Sequence, residues 1–157
     1  MQKKNLSPEE AYRRAAAGCA RREYCRADWY GKMLAAGLTA AQAEQVLERL
    51  QQEHFIDEER YCRSFVHDKL RYDRWGRVKI ACALRAKGIA SATVDEALAA
   101  IDEDEYRGVL SALIAQKARS VQAAGEAERR RKLARFAAGR GFEPSLVFSL
   151  LQLEGDD

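Results

Sequence analysis

Basic side chains are concentrated in two segments of this sequence, at a density that suits contact with anionic partners. Segment 69–87 holds seven lysines and arginines against one acidic residue, and segment 117–140 holds eight against two. Six acidic residues between positions 95 and 105 separate them. This pattern predicts contact with polyanions or acidic protein surfaces at two separated places. If the partner is a nucleic acid, we expect the basic side chains to contact its phosphates rather than to recognise its bases. The alternative is that each basic helix is an ordinary solvated surface, since Glu128 can pair with Lys132 four residues later.

No group of residues matches a known catalytic motif, and we expect no enzymatic activity and no cofactor. The sequence contains no glycine-rich phosphate loop, no His-Glu-x-x-His and no nucleophile elbow. His54 and His67 with Cys62 would make a zinc site, but their spacing matches no common one, so we predict no metal. The carboxylates from Asp102 to Glu105 lie at a predicted helix start, where the helix dipole explains them.

The middle of the chain has the pattern of two helices with a break between them. Asp57 can cap the first helix, and the apolar residues after it recur with a 3.6-residue period, which predicts one buried stripe. That stripe consists of Tyr61, Cys62, Phe65, Val66 and Leu70. The pattern breaks around residues 73–76. A second helix then buries Ile80, Ala81 and Leu84 and is expected to stop at Gly88, where a left-handed residue is tolerated.

The same helical pattern occurs three times. Residues 24–38 align without gaps on 75–89, and a third copy with one extra residue ends at Phe142. The period of about 50 residues suits three helices in each unit. We therefore predict an all-α chain of three tandem three-helix repeats, about nine helices in total, forming an elongated, curved rod. The expected divisions are an N-terminal tail at 1–6, repeats at 7–55, 56–101 and 102–153, and an acidic C-terminal tail at 154–157.

Capping signals and aromatic residues complete the helix prediction. Ser7 opens the first helix, Thr39 the third and Ser91 a short sixth helix. Tyr24 and Trp75, each just before a helix, are interpreted as packing residues rather than as base-stacking platforms.

Composition indicates an ordered, soluble chain of 157 residues, with 47% apolar and 32% charged residues and a net charge of +3. No secretory signal or run of 18 apolar residues is visible, so we expect a cytoplasmic protein with no membrane partner. The cysteines show no Cys-x-x-Cys spacing and are expected to be reduced and mostly packed. They are Cys19, Cys25, Cys62 and Cys82.

These motifs, in this order and spacing, resemble the RecX family, small bacterial regulators of the RecA recombinase. The resemblance covers the chain from about Glu10 to Leu153 and is densest in the middle unit. The matching positions, most of which are scaffold positions, are Asp57, Arg60, Tyr61, Phe65, Trp75, Gly76, Ile80, Leu84, Lys87, Gly88 and Ile89. The sequence departs from the family pattern at Arg77, where many members have a helix-opening proline, and at Ala83, where an acidic residue is common.

The resemblance implies a modular protein that binds in the groove of the RecA filament on single-stranded DNA. Such a protein would reduce the ATPase, strand-exchange and repressor-cleavage activities of the filament, in homologous recombination, DNA repair and the SOS response. On this hypothesis we predict a monomer whose contact residues are Arg74, Arg77, Lys79, Lys87, Arg130, Arg131 and Arg135. The alternative is a direct single- or double-stranded DNA-binding protein that acts without the recombinase, with the second helix of each unit used as in a helix-turn-helix. A generic helical interaction scaffold is a third possibility.

Overall fold

The computed structural model describes residues 5–155, with side chains through residue 152, and contains nine α-helices and no strand in that range. The helices are α1 (Pro8–Cys19), α2 (Arg26–Ala35), α3 (Ala40–Gln52), α4 (Glu58–Arg71), α5 (Arg77–Ala86), α6 (Ser91–Ala99), α7 (Glu103–Ala118), α8 (Glu126–Gly139) and α9 (Pro144–Gly155). They form three consecutive three-helix units, which confirms the predicted all-α repeat architecture. None of the nine is long and apolar enough to cross a membrane.

The two predicted tails lie mostly outside the residues that the structure describes. Residues 1–4 of the expected N-terminal tail, and Asp156 and Asp157 of the expected acidic tail, lie outside the described residues. Leu6, at the other end of the first tail, packs against the core of the first unit and donates its N–H to the carbonyl of Ala36 at 3.0 Å. Helix α9 continues to Gly155, two residues beyond the predicted end of the third repeat.

Four helix starts in the described part of the chain carry a side-chain cap, and three of these caps, Ser7, Thr39 and Asp57, are predicted from the sequence. The side chains of Ser7, Asp57 and Asp102 each accept a hydrogen bond from a backbone N–H three residues later, at 3.2, 3.0 and 2.9 Å. Thr39 forms a reciprocal capping box with Gln42, with distances of 3.2 and 2.9 Å. Such caps satisfy N–H groups that have no partner inside the helix. Ser91, predicted to open α6, is instead its first helical residue, and the preceding Ala90 offers no side-chain cap. The residues before α2, α5 and α8 also make no side-chain cap hydrogen bond.

The end of the second helix in every unit shows the repeat directly. Gly37, Gly88 and Gly141 have φ angles of 98°, 75° and 93°, a left-handed conformation that costs glycine little. Each is followed by a buried apolar residue, respectively Leu38, Ile89 and Phe142. Three equivalent turns at equivalent positions confirm the alignment of the units.

Buried apolar residues form two clusters rather than one. The first cluster belongs to α1, α2 and α3 and the turns that join them. The second runs continuously through the middle and last units and also includes Cys25, which is fully buried at the start of α2. The accessible surface of 9775 Å² exceeds the ~7,900 Å² expected for a compact monomer of 17.7 kDa. The chain is therefore elongated, with one unit on its own core and two units on a shared core.

The middle and last units meet where two backbone segments come into contact. The N–H of Gly76 donates to the carbonyl of Arg140 at 2.8 Å, and the N–H of Val78 donates to the carbonyl of Gly141 at 3.0 Å. A Cβ atom on Gly76 would lie 2.4 Å from the carbonyl carbon of Gly141, closer than any real contact. The φ of Gly76 is −83°, so this position requires glycine because of space and not because of conformation.

Replacing Gly76 with alanine should therefore lower the free energy of unfolding by about 1–3 kcal/mol, because the two backbones must move apart. The matched control is Gly108→Ala in α7, where an added Cβ meets nothing within 4 Å. That substitution should leave stability unchanged or raise it by up to about 1 kcal/mol, since alanine favours helix more than glycine does. Urea unfolding followed by circular dichroism measures both, and equal effects would contradict the close-contact explanation.

Candidate partner-binding surface

Arg77 opens α5 and joins the middle unit to the last. Its guanidinium donates to Glu143 at 2.8 Å and to Glu103 at 2.5 Å, and it lies 3.8 Å from the ring centre of Tyr106. Its backbone N–H donates to the hydroxyl of Tyr106 at 3.0 Å, and that hydroxyl donates to Glu143. Only 22% of the Arg77 side chain is exposed. The charge of this predicted contact residue is therefore satisfied inside the chain, and a proline here would lack the N–H that binds Tyr106.

Burial and hydrogen bonding set the protonation of this junction. Burial acts to lower the pKa of Arg77, but its hydrogen bonds to Glu143 and Glu103 raise the pKa overall. The hydrogen bond from Arg77 lowers the pKa of Glu103, and burial raises the pKa of Tyr106. The guanidinium is thus charged and the phenol neutral at neutral pH, as their hydrogen bonds require.

Lys87 has a comparable role between the first and middle units. Its ammonium group pairs with Asp28 at 2.8 Å, and Asp28 also caps α2 by accepting the N–H of Cys25 at 3.2 Å. The hydrogen bond that Lys87 donates to Asp28 raises the pKa of Lys87. Burial acts to raise the pKa of Asp28, but its bonds to Lys87 and Cys25 lower it overall. Arg60 makes a second link across this junction, donating to Glu23 at 2.5 Å.

Acidic residues pair with three of the five remaining basic side chains of segment 69–87. The pairs are Lys69 with Asp73 at 3.2 Å, Arg71 with Glu105 at 2.6 Å and Arg85 with Asp95 at 3.3 Å. Arg74 and Lys79 pair with no carboxylate among the described side chains. Arg74 lies in a left-handed turn with a φ of 56° and donates to Gln116 at 2.5 Å. The acidic residues that separate the two basic segments in sequence thus act partly as internal counter-ions.

The aromatic residues before α5 and α2, Trp75 and Tyr24, both contact other side chains of the protein. Trp75 is half-buried against the shared core. The centre of its ring lies 4.6 Å from the ammonium nitrogen of Lys69 and 4.4 Å from that of Lys79. The ring of Tyr24 lies 4.8 Å from that of Trp29.

Helix α8 carries the remaining three predicted contact residues. Arg130 shares Glu126 with Arg129, at longer distances of 3.8 and 3.6 Å respectively. The expected pair of Lys132 with Glu128 is present at 3.3 Å. Arg131 and Arg135 are exposed and have no carboxylate partner within residues 5–152. Unlike α5, this helix presents arginines whose charge is not used inside the described chain.

Parts of the two basic segments meet in space, a convergence that the sequence analysis did not predict. Arg74 from the first segment and Lys117 and Arg140 from the second line one cleft of about 370 Å³. Tyr72, with 77% of its surface exposed, lies at the same cleft. The sequence could not show this convergence, because it depends on how α7 and α8 pack against the end of α4.

A second depression lies between α8 and α9. It has a volume of about 280 Å³ and is lined by Ala127, Arg130, Arg131, Ala134, Phe148 and Leu151. Phe148 is 60% exposed, whereas Leu151 beside it is buried. Sequence reasoning missed Phe148 as a surface residue. The available signal was its position outside the apolar stripe of α9, which consists of Leu146, Val147, Leu150 and Leu151.

The residues considered for metal binding or thiol chemistry are not assembled into a site. Among the described residues, no three His, Cys, Asp or Glu side chains are placed to hold a metal ion. All four cysteines are free thiols, with Cys25 and Cys62 buried, Cys19 intermediate and Cys82 exposed. Burial raises the pKa of Cys62 to about 11, which keeps that thiol protonated and unreactive.

Two of the three units match family models. Residues 57–98 match the model described as "RecX, second three-helix domain", and residues 104–151 match "RecX, third three-helix domain". Together these matches cover the middle and last units, which share the larger core.

Proteins named "Regulatory protein RecX" are similar along most of the chain. That of Halorhodospira halophila is 35% identical over 88% of this chain and 84% of its own length. That of Pelodictyon phaeoclathratiforme is 33% identical over 78% of this chain and 74% of its own length. For that of Clostridium tetani, 30% identical, the match spans 72% of this chain but only 52% of the relative.

The crystal structure of RecX from Lactobacillus salivarius has the same fold. It superposes with a TM-score of 0.83 over 92% of this chain and 94% of the other chain, at 16% identity. A second crystal structure, of "regulatory protein RecX", gives a TM-score of 0.82 at 23% identity, over 92% of this chain and 71% of the other. At these identities the likeness shows the fold alone.

Replacing Arg77 with glutamine should lower the free energy of unfolding by about 1–3 kcal/mol, because the half-buried carboxylate of Glu143 loses its charged donor. Arg135→Gln is the matched control on an exposed surface and should change stability by less than about 0.5 kcal/mol. Chemical denaturation near neutral pH gives both values. If the two substitutions had equal effects, Arg77 would not have the junction role assigned to it.

Replacing Asp28 with asparagine should cost about 1 kcal/mol near pH 7, because asparagine can still cap α2 but no longer attracts Lys87. The pKa of Asp28 in the folded chain lies below its ordinary value of 3.8. Its contribution to stability is therefore complete above that pH and is lost as the pH falls through the lower, folded value. The difference between wild type and variant should stay constant near neutrality and shrink below pH 3.8.

Asp95→Asn supplies the matched control for this pH series, because the Asp95 side chain is 66% exposed in its pair with Arg85. It should have little effect on stability at any pH. A difference for Asp28→Asn that stayed constant into the acid range would count against the charged pair with Lys87.

Proposed function

This chain belongs to the RecX family of regulatory proteins, and from that premise we propose that it binds the RecA filament on single-stranded DNA and inhibits it. The inhibited activities would be the ATPase, strand exchange and co-protease functions, in DNA repair and the SOS response in the cytoplasm. Similarity to proteins named "Regulatory protein RecX" over most of the chain supports the regulatory role. The assignment of RecA as partner and of inhibition as the outcome is our proposal.

The observation that carries the proposal is the different use of charge in the two basic helices. Arg77 at the start of α5 and Lys87 just after its end are held in ion pairs that join neighbouring units. Arg131 and Arg135 of α8 are instead exposed without a carboxylate partner in the described chain. An unpaired surface arginine can bind an acidic or phosphate group of a partner without first breaking an ion pair inside the chain. We therefore propose that α8 makes the main electrostatic contact.

The predicted contact residues then divide into two groups by role. Arg77 and Lys87 set the relative position of the three units, and their effect on a partner would be indirect. The proposed direct contacts are Arg74, Lys79, Arg130, Arg131 and Arg135.

The architecture suggests how binding could change a filament. A rod with contacts on the middle and last units, fixed by a shared core, would bind one spacing of adjacent filament subunits better than others. Only such differential affinity can shift a filament between states. Two weak contacts on one rigid body also raise the effective concentration of the second contact once the first has formed.

Direct DNA binding without the recombinase is the second candidate, and one observation favours it. The cleft with Arg74, Lys117 and Arg140 carries three cations beside the exposed ring of Tyr72, a combination found where proteins hold single strands. Use of α5 as a recognition helix is less favoured, because Arg77 at its start is half-buried and engaged by Glu103 and Glu143.

The combined substitutions Arg131→Glu and Arg135→Glu should weaken inhibition, so that about tenfold more protein is needed for the same effect. The measurement is the single-stranded-DNA-dependent ATPase rate of the host recombinase, titrated with this protein at amounts well below one per subunit. The matched control is Arg13→Glu with Arg14→Glu, two exposed arginines on α1. Unchanged inhibition by the α8 variant, with its helical content intact, would contradict the role of the last unit.

The same titration, with naked-DNA binding measured over a salt series, separates the two candidate functions. A fall in ATPase rate at low protein ratios supports action on the filament. No effect on the ATPase, together with tight and steeply salt-dependent DNA binding, would instead support the direct DNA binder.

A further inference from the structure

The depression between α8 and α9 has an apolar floor that no other part of the described chain covers. Its floor consists of the small side chains Ala127 and Ala134 on α8 and the larger Phe148 and Leu151 on α9. The alanines leave room that larger residues would fill, and the volume of about 280 Å³ suits one or two apolar side chains. Phe148 is the most exposed large apolar residue among those of the last unit whose side chains are described. Insertion of an apolar side chain here would remove water from both surfaces.

The rim of this groove is positively charged. Arg130 and Arg131 lie along one side, within the first two turns of α8. The start of an α-helix carries partial positive charge, which adds to that of the arginines. Arg131 has no carboxylate partner among the described side chains, and Arg130 only shares Glu126 at 3.8 Å. A carboxylate placed at this rim would thus gain a donor that is largely unused.

We propose that the α8–α9 groove binds an amphipathic acidic segment of a partner protein, with a leucine- or phenylalanine-sized side chain in the floor and carboxylates on Arg130 and Arg131. The inference deepens the proposed function and rests on it for the last unit being a contact unit. It assigns Phe148 a role in binding the partner, and the distribution of charge alone would not identify this residue. It also predicts that the contact requires both an apolar and an acidic component.

A protein segment fits this groove better than a nucleic acid does. Phosphates and sugars would leave the apolar floor uncovered, whereas the cleft lined by Arg74, Lys117 and Arg140 offers polar walls and an exposed tyrosine. Helix-in-groove recognition uses the combination present here, apolar anchors flanked by charge. A second copy of this chain is the other possible occupant and is treated as an outcome of the test.

The test uses the full chain and a fluorescently labelled helical peptide of glutamate and leucine, with leucines spaced three and four residues apart. Binding is measured by anisotropy, without recombinase or DNA, against a scrambled peptide and an all-glutamate peptide of equal charge. Phe148→Ser should weaken binding about tenfold by removing part of the floor, and Ala127→Leu should do the same by filling the groove. Arg130→Glu with Arg131→Glu should abolish it. Leu34→Ser is the matched control, since Leu34 is an exposed apolar residue of α2, outside the groove, and it should have no effect.

Two outcomes would overturn the inference. Equal binding of the all-glutamate peptide, unaffected by Phe148→Ser, would show only non-specific attraction to a basic surface. In the second, the peptide does not bind, but sedimentation shows that the wild-type chain self-associates and that Phe148→Ser does not. This result would assign the groove to a second copy of the chain.

Failure of this inference is distinguishable from failure of the proposed function. Suppose that wild type does not bind the peptide, and that wild type and Phe148→Ser inhibit the recombinase ATPase equally. The proposed function then holds, but the groove has no part in it. If wild type has no effect on the ATPase, the proposed function fails whatever the peptide does.

Discussion

The contact between the backbones at Gly76 and Gly141 fixes how the last unit sits on the middle one. Because no Cβ fits at Gly76, the two chains approach closely enough for the N–H groups of Gly76 and Val78 to bond across the junction. The same approach places the hydroxyl of Tyr106 against the start of α5. Loss of this contact would separate the two halves of the shared core, so the relative position of every basic residue on α5 and α8 depends on it.

Burial at this junction decides which charges remain available outside. A half-buried guanidinium such as Arg77 is stable only with carboxylates beside it, and Glu103 and Glu143 come from the next unit to supply them. Three of the six acidic residues between the two basic segments, Asp95, Glu103 and Glu105, are therefore counter-ions for the middle unit. Helix α8 has fewer such neighbours, and for that reason its arginines are the stronger candidates for contact with a partner.

The surface of the last unit beside α8 combines positive charge with an apolar groove. The unpaired Arg131, and Arg130, which only shares Glu126, line the apolar groove beside α8, so electrostatic attraction and apolar burial could act on a single partner segment. The cleft at the end of α4 is polar instead, with three cations and one exposed tyrosine. The difference in lining suggests that the two surfaces serve chemically different contacts.

The sequence by itself determined the helices, their caps and the threefold repeat, because capping, a 3.6-residue apolar period and left-handed glycines act over a few residues. Asp57, Thr39 and Gly88 have the local roles predicted for them. Tertiary structure alone decided which charges are free. Arg77 finds its carboxylates 26 and 66 residues away, and Lys87 finds Asp28 at a separation of 59, so these pairs exist only because the units pack at particular angles. No local periodicity encodes such angles, since they follow from the close approach of backbones and the packing of side chains that are distant in sequence.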